Sequence, residues 1–393
     1  MKNYFLNVCA CLCMTFCLAS CERDPQYQLI SSVTTLDAKN VSAYSATLWG
    51  EFEVSSYGGK QARYCAFRIS TSPNFDTADT EYTPEKSCDD NIGSNYFLHT
   101  IENLKENTTY YYYAYLKKYS GVMLKGEVKS FTTEQIVAPQ GAIKGLFSVS
   151  NTKKVFFSKG NLQYQASTAK WRFAEQQYNY IGAANSNISA TYSGWIDLFG
   201  WGTSGYNNRY PYLSSTNYAD YILWSSIAGT NYDWGVYDAI SNGGNQAGKW
   251  RTLTDDEWNY LRTNGCSGRS QATVCGVKGY ILTPLSFNKP DGVSWTPISG
   301  IWGTNSYSTN IYDASSWKKM EDAGAVFLPA AGRRSGTSVS LVEEEGRYWT
   351  STRYSGEGPE QQKFTNTSYM SSYYFYYSYG YYGCSVRLVQ DYQ

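Results

Sequence analysis

Eight of the fourteen residues from Tyr369 to Tyr382 are tyrosine, and most of the others are Ser, Gly or Phe. The chemistry such a stretch performs is recognition. Each tyrosine offers a large contact area and a hydroxyl while fixing only two side-chain torsions. A strand built for a core would alternate Val, Ile or Leu with polar residues, and this one does not. The bland reading is a tyrosine-rich edge strand prone to self-association.

Covalent and metal chemistry have thinner support. His99 is the only histidine, so no Ser-His or Cys-His constellation is expected in the C-terminal 250 residues. Thr254-Asp255-Asp256-Glu257 gathers three carboxylates, but the pattern is a helix capping box. Their charge suits the positive end of a helix, with no need of a catalytic role. Neither Glu-Pro-Asn nor Trp-Asn-Asp occurs, and Asn231, Asp233 and Asp291 lack a calcium-loop spacing. Of ten cysteines, five remain after residue 21: Cys65, Cys88, Cys266, Cys275 and Cys384. Cys65 with Cys88, and Cys266 with Cys275, are candidate disulfides that sequence alone does not assign. No catalytic residue, metal or cofactor is expected.

The ends and the composition set the setting. Lys2 is followed by an apolar run from Tyr4 to Ala19, too short to span as a mature helix. It closes on Leu18-Ala19-Ser20-Cys21, which resembles the lipobox of bacterial lipoproteins. Residues 1–20 are thus expected to be a signal peptide, Cys21 the lipidated residue and 21–28 a tether. Export to the outer membrane or cell surface follows, with the membrane as a partner through the lipid alone. Basic and acidic residues balance at 33 each, which disfavours a nucleic-acid partner.

The tyrosine stretch needs elements to hold it. The expected fold class is mainly β, with an α+β C-terminal domain. Residues 29–134 read as a β-sandwich: strands at Ser45–Phe52 and Ala62–Ser70, a Leu104-x(4)-Thr109-Tyr110 corner, and an exit at Phe131-Thr132-Thr133. This resembles the fibronectin type III pattern, in which the corner tyrosine, here Tyr110, bonds back to the preceding turn. In the run Tyr110 to Tyr113, alternation places half the rings in the core. Residues 135–142 read as a linker. Beyond it, helices are expected after Thr254 and through Ala314–Glu321, with strands at Ala325–Pro329, Tyr348–Ser351 and Ser385–Val389.

Four landmarks then fall in order: Trp250 to Trp258, Phe327 to Gly332, Tyr348 to Thr352, and Gly383 to Arg387. Together they resemble the C-type lectin-like fold in its formylglycine-generating-enzyme branch. More closely, residues 143–393 resemble the variable proteins of diversity-generating retroelements, found as surface lipoproteins and phage tips. That resemblance implies that a reverse transcriptase rewrites adenines in the coding region, so that Asn codons become Tyr, Ser, Thr, Asp, Phe, Cys or Gly. The variable region would span about 349–389. Its implied ligand-binding residues are Tyr354, Ser355, Glu357, Thr367, Tyr369, Ser371, Tyr373, Tyr374, Phe375, Tyr376, Tyr377, Tyr379, Tyr381, Tyr382 and Cys384. Met370, Glu357, Glu360 and Gln361 to Lys363 depart from that codon pattern. The implied ligand is a protein or glycan on another cell, phage or host. A non-diversified glycan-binding adhesin and a fimbria-like subunit are the alternatives. A formylglycine-generating enzyme would need a cysteine pair near the end of the fold, where only Cys384 stands.

Overall fold

The computed structural model describes residues 32–54, 62–88, 93–221, 223–354, 358–374 and 380–392. Cys21, the signal peptide and the tether lie outside the described residues. The chain divides into two compact units, Met1–Ile136 and Val137–Gln393, so the division falls inside the stretch read as a linker. The architecture is mainly β.

In the first unit the strands are β1 (Thr34–Lys39), β2 (Ala46–Val54), β3 (Ala62–Ser70), β4 (Glu81–Tyr82), β5 (Lys86–Ser87), β6 (Gly93–Ile101), β7 (Thr109–Lys118), β8 (Met123–Lys125) and β9 (Lys129–Thr132). They make two antiparallel sheets, β1-β2-β6 and one built on the β3–β7 pair. Alternation along β2 buries Ala46, Leu48 and Phe52 between the sheets. The Tyr110 hydroxyl accepts from the Lys105 amide at 2.9 Å, which pins the corner. The expectation that half of the Tyr110–Tyr113 run is core proves too small. Tyr110 and Tyr112 fill the sandwich, while Tyr113 and Tyr115 are buried on the opposite face beneath Phe75.

The second unit contains β10 (Ala142–Ser148), β11 (Lys154–Ser158), β12 (Leu162–Gln165), β13 (Lys170–Phe173), helix α1 (Trp234–Tyr237), β14 (Arg251–Thr252), α2 (Asp255–Tyr260), β15 (Gly268–Val274), β16 (Val277–Thr283), β17 (Ile311–Tyr312), α3 (Ala314–Asp322), β18 (Val326–Pro329), β19 (Arg333–Ser335), β20 (Ser338–Ser340), β21 (Glu345–Arg353), β22 (Pro359–Thr365), β23 (Ser371–Tyr374) and β24 (Leu388–Asp391). Its first and last strands meet in one sheet ordered β10-β11-β24-β14. A second sheet runs β17-β15-β16-β18 and a third β21-β22-β23.

Between β13 and β14 the chain has little regular structure, yet tryptophans hold it in place. The indole N–H groups of Trp201, Trp234 and Trp250 donate to the carbonyls of Thr350, Thr203 and Gly243 at 3.0, 3.1 and 2.8 Å. Each ring thereby fills the core and supplies a donor to a carbonyl, on β21 for Thr350 and within the loop itself for Thr203 and Gly243. At α2 the capping box forms as the sequence implies: Thr254 Oγ1 accepts from the Glu257 amide and the Glu257 carboxylate from the Thr254 amide. Glu257 also pairs with Arg251, which reaches Asp391 on β24. Thr254→Ala is expected to cost about 1 kcal/mol in urea unfolding, the usual loss for an N-cap hydroxyl.

No disulfide joins the described cysteines, which corrects both candidate pairs. Cys266 and Cys275 flank β15, and an extended strand of that length holds them roughly 20–30 Å apart. Cys88 lies one residue past β5, diagonal to Cys65. Diagonal neighbours sit about 7–8 Å apart, beyond the usual disulfide span.

Candidate functional site

The four landmarks converge. Trp349 donates its amide to the Ser385 carbonyl and Ser385 returns to the Arg347 carbonyl, at 3.0 and 2.9 Å. The Ser351 amide reaches the Leu253 carbonyl at 2.9 Å. The Tyr348 hydroxyl donates to the Pro329 carbonyl at 2.9 Å and Arg387 Nη1 to that of Phe327 at 3.3 Å. Arg387 is wholly buried without a carboxylate in contact; burial drives its pKa down to about 10. Gln177 takes its second hydrogen bond, at 2.7 Å. At Gly383 any Cβ would stand 2.8 Å from the Leu198 carbonyl and 3.0 Å from Arg334 Cβ, so only glycine passes.

On this frame rides the β22–β23 hairpin, with β23 at the edge of its sheet among the described residues. Register pairs Gln362 with Ser372 and Gln361 with Tyr373. One face turns inward. Ser372 Oγ and Gln362 Nε2 both donate to Asp255 Oδ1, at 2.7 and 3.0 Å, so the first turn of α2 grips the hairpin. Phe364 and Met370 lie in the same core as Tyr348. Met370, Glu360, Gln361 and Gln362, which do not fit the codon pattern, are thus buried parts of the frame.

On the alternate face Gln361 is buried, but its cross-strand partner Tyr373 at the sheet edge reaches solvent. Tyr373 is 42% exposed, and its ring carries Lys363 Nζ at 5.0 Å and the Arg347 guanidinium at 5.4 Å. Both cations also meet Glu345, Lys363 at 3.2 Å. Burial pushes the Glu345 carboxyl up, but the hydrogen bond and charge of Arg347, with Lys363 added, outweigh it and leave the pKa below the usual range. Its contribution to stability is therefore complete above the ordinary glutamate pKa and lost as pH falls through the lower folded value. Glu345→Gln is expected to flatten the acid limb of a stability–pH curve below the ordinary glutamate pKa.

Of the remaining residues implied by the resemblance, Tyr354 is 42% exposed, Thr367 is exposed on the β22–β23 turn, and Tyr369, Ser371, Tyr381 and Tyr382 are half-buried. The rings of Tyr381 and Tyr382 lie 4.7 Å apart, with Arg333 over Tyr382 at 4.7 Å. Tyr374 belongs to β23 by its backbone; its side chain, and Ser355, Glu357, Phe375, Tyr376, Tyr377 and Tyr379, lie outside the described residues.

Cys384 is a correction. It is not a ligand-contacting residue: it is fully buried beside Trp349, and its thiol donates to Gln361 Oε1 at 3.3 Å. Burial pushes its pKa up to about 12, so at neutral pH it carries almost no thiolate, the form that attacks or ligates. Native Cys384 is expected to resist iodoacetamide at pH 8 and to react only on unfolding, read by intact-mass labelling.

Sequence reasoning missed two tryptophans. Trp224 is 79% exposed and lies 5.7 Å beneath the Arg353 guanidinium; Trp302 is 72% exposed and meets Tyr369 edge-on at 5.4 Å. Their loops are fastened: Ser226 Oγ bonds the Arg353 backbone, and buried Arg269 grips the Gly300 and Ile301 carbonyls at 2.9 and 2.8 Å. Nothing in their local sequence separated them from the buried tryptophans. Among the described residues no group of His, Cys, Asp and Glu is arranged to hold a metal ion, and no helix is long and apolar enough to cross a membrane.

No protein-family model matches the chain, and no curated protein matches it. Among solved structures, the sensor domain of the anti-sigma factor RsgI4 in Pseudobacteroides cellulosolvens is 16% identical, with 27% of this chain and 95% of that one covered and a TM-score of 0.21. The fibronectin type III domain derived from human KIAA0970 protein is 17% identical, covering 28% of this chain and 80% of that one, with a TM-score of 0.20. The fibronectin type-III domain of human fibronectin type III domain containing protein 3 is 14% identical, covering 30% and 96%, with a TM-score of 0.20.

Proposed function

We propose that the chain is a ligand-binding lipoprotein, anchored at the outer membrane or cell surface through Cys21. Its C-terminal unit displays an aromatic surface, diversified as in retroelement variable proteins, to a protein or glycan on another cell, phage or host. The observation that carries this reading is the division within one hairpin. Met370, Ser372 and Gln362 are engaged in the frame, whereas Tyr354 and Tyr373 stand out to solvent. Residues so placed change contacts more than stability. The buried, weakly acidic Cys384 thiol favours binding over a cysteine-dependent reaction.

The test uses arrays of glycans and of cell-surface proteins. The triple variant Tyr354→Ala/Tyr369→Ala/Tyr373→Ala is expected to lose about 100-fold or more in affinity for any captured target, at about 1–2 kcal/mol per contact tyrosine. Its melting temperature should stay within a few degrees. Unchanged binding would sink the aromatic surface. The diversified part of the reading falls if no near-copy of the Tyr354–Val389 coding region, differing at adenines, lies beside a reverse transcriptase gene.

A further inference from the structure

A cavity of about 590 Å³ opens where the β15–β16 hairpin and β17 meet the turn between β22 and β23. Tyr307, itself buried, ties its walls together. Its hydroxyl donates to the Glu344 carbonyl at 3.0 Å, its amide to Asn366 Oδ1 at 2.8 Å, and its carbonyl accepts from Thr273 Oγ1 at 2.8 Å. Three separate segments are thus bound through one residue, so the space is built into the fold and not left by a loose loop. Its volume is that of small-molecule sites.

The lining has a definite chemistry. Glu344 brings a carboxylate, Lys278 an ammonium, Ser308 and Thr367 hydroxyls, and Ile311, 67% exposed, an apolar side chain; Glu343 also borders the space, its carboxylate accepting from the Tyr180 hydroxyl at 3.0 Å. Glu345 also borders the space, but Arg347 and Lys363 neutralise it. Carboxylates only accept hydrogen bonds, ammonium only donates, and hydroxyls do both. An anion would meet the charges of Glu343 and Glu344, and a cation that of Lys278. A neutral polyol satisfies all of them at once, with its C–H face against Ile311.

We propose that this cavity binds a neutral saccharide unit, with Glu344 accepting from its hydroxyls, Lys278 donating to them and Ile311 beneath its apolar face. The site is made largely of frame residues, so it stands independently of the tyrosine surface.

Saturation-transfer NMR on the full chain tests it, with methyl glucoside, methyl mannoside and N-acetylglucosamine as probes and lysine amide as the cationic control. At least one sugar should receive saturation at millimolar concentration. Its Kd should rise at least about tenfold in Lys278→Met and in Glu344→Gln, the loss expected for a charged hydrogen-bond partner. Ile311→Ser serves as a third variant should either of those melt early. Tyr354→Ala/Tyr373→Ala should leave sugar binding unchanged. The proposal is overturned if no sugar binds, if the cavity variants bind normally, or if the tyrosine variant loses the sugar. It is equally overturned if lysine amide alone binds and Glu344→Gln abolishes that.

Discussion

Trp349→Ala is expected to destabilise the C-terminal unit by about 3–5 kcal/mol, the range for emptying a buried aromatic site. Tyr373→Ala, across the same sheet, is expected to cost less than about 1 kcal/mol. Trp349 is 1% exposed, packs with Trp201, Phe199 and Val386, and donates its indole N–H to the Phe199 carbonyl at 2.6 Å. Its loss leaves a void and removes one of the two hydrogen bonds that the Phe199 carbonyl accepts, the other coming from the Cys384 amide at 3.0 Å. Tyr373 lies over Lys363, which solvent also reaches, and over the buried Arg347, whose charge Glu345 already holds; contacts to so exposed a ring contribute only about 0.5–1 kcal/mol. Urea unfolding followed by tryptophan fluorescence measures both. Equal costs would mean that the tyrosine is structural and the division between frame and display is wrong.

Arg334→Met should be nearly as damaging, at about 3 kcal/mol or more, although methionine preserves much of the apolar volume. The guanidinium is fully buried and donates to the carbonyls of Leu198 at 3.1 Å, Gly336 at 2.6 Å and Leu213 at 3.4 Å. The Leu213 carbonyl keeps a bond from the Tyr221 hydroxyl at 3.1 Å, but those of Leu198 and Gly336 would be stranded, each at a cost of about 1–3 kcal/mol. Burial already lowers the arginine pKa, so the charge is held at a cost that its hydrogen bonds must exceed. The same residue exchanges backbone hydrogen bonds with Gly383, immediately after Tyr382. The variant should therefore loosen the Tyr381–Tyr382 segment before the unit melts, which hydrogen exchange at Gly383 and Cys384 would show. Protection equal to that of the parent chain would contradict this.

Much of the fold was legible because it was written in local chemistry. The alternation in β2, the Tyr110 corner, the Thr254–Glu257 box and the Asp313-capped α3 each depend on residues a few positions apart. The candidate site was legible in composition but not in orientation. Tyr and Ser alternate in the stretch without a hydrophobic period, and only the register of β22 against β23 separates Ser372, bound to Asp255, from Tyr373, which faces out. Cys384 was misread for that reason: its burial comes from Phe199, far away in sequence, with which it pairs. Trp224 and Trp302 were invisible because tryptophan is ordinarily a core residue. Their exposure follows from loop anchors at Ser226 and Arg269 that no periodicity reports.

The pairing of β24 with both β11 and β14 reaches beyond packing. The strand follows every tyrosine of the stretch in the chain, and it carries Leu388 and Val389 into the two cores. A message cut short or shifted in frame inside that stretch therefore yields a unit without its final clasp. Such products would be open to proteolysis, so a completed fold reports that the chain was read through the whole tyrosine stretch.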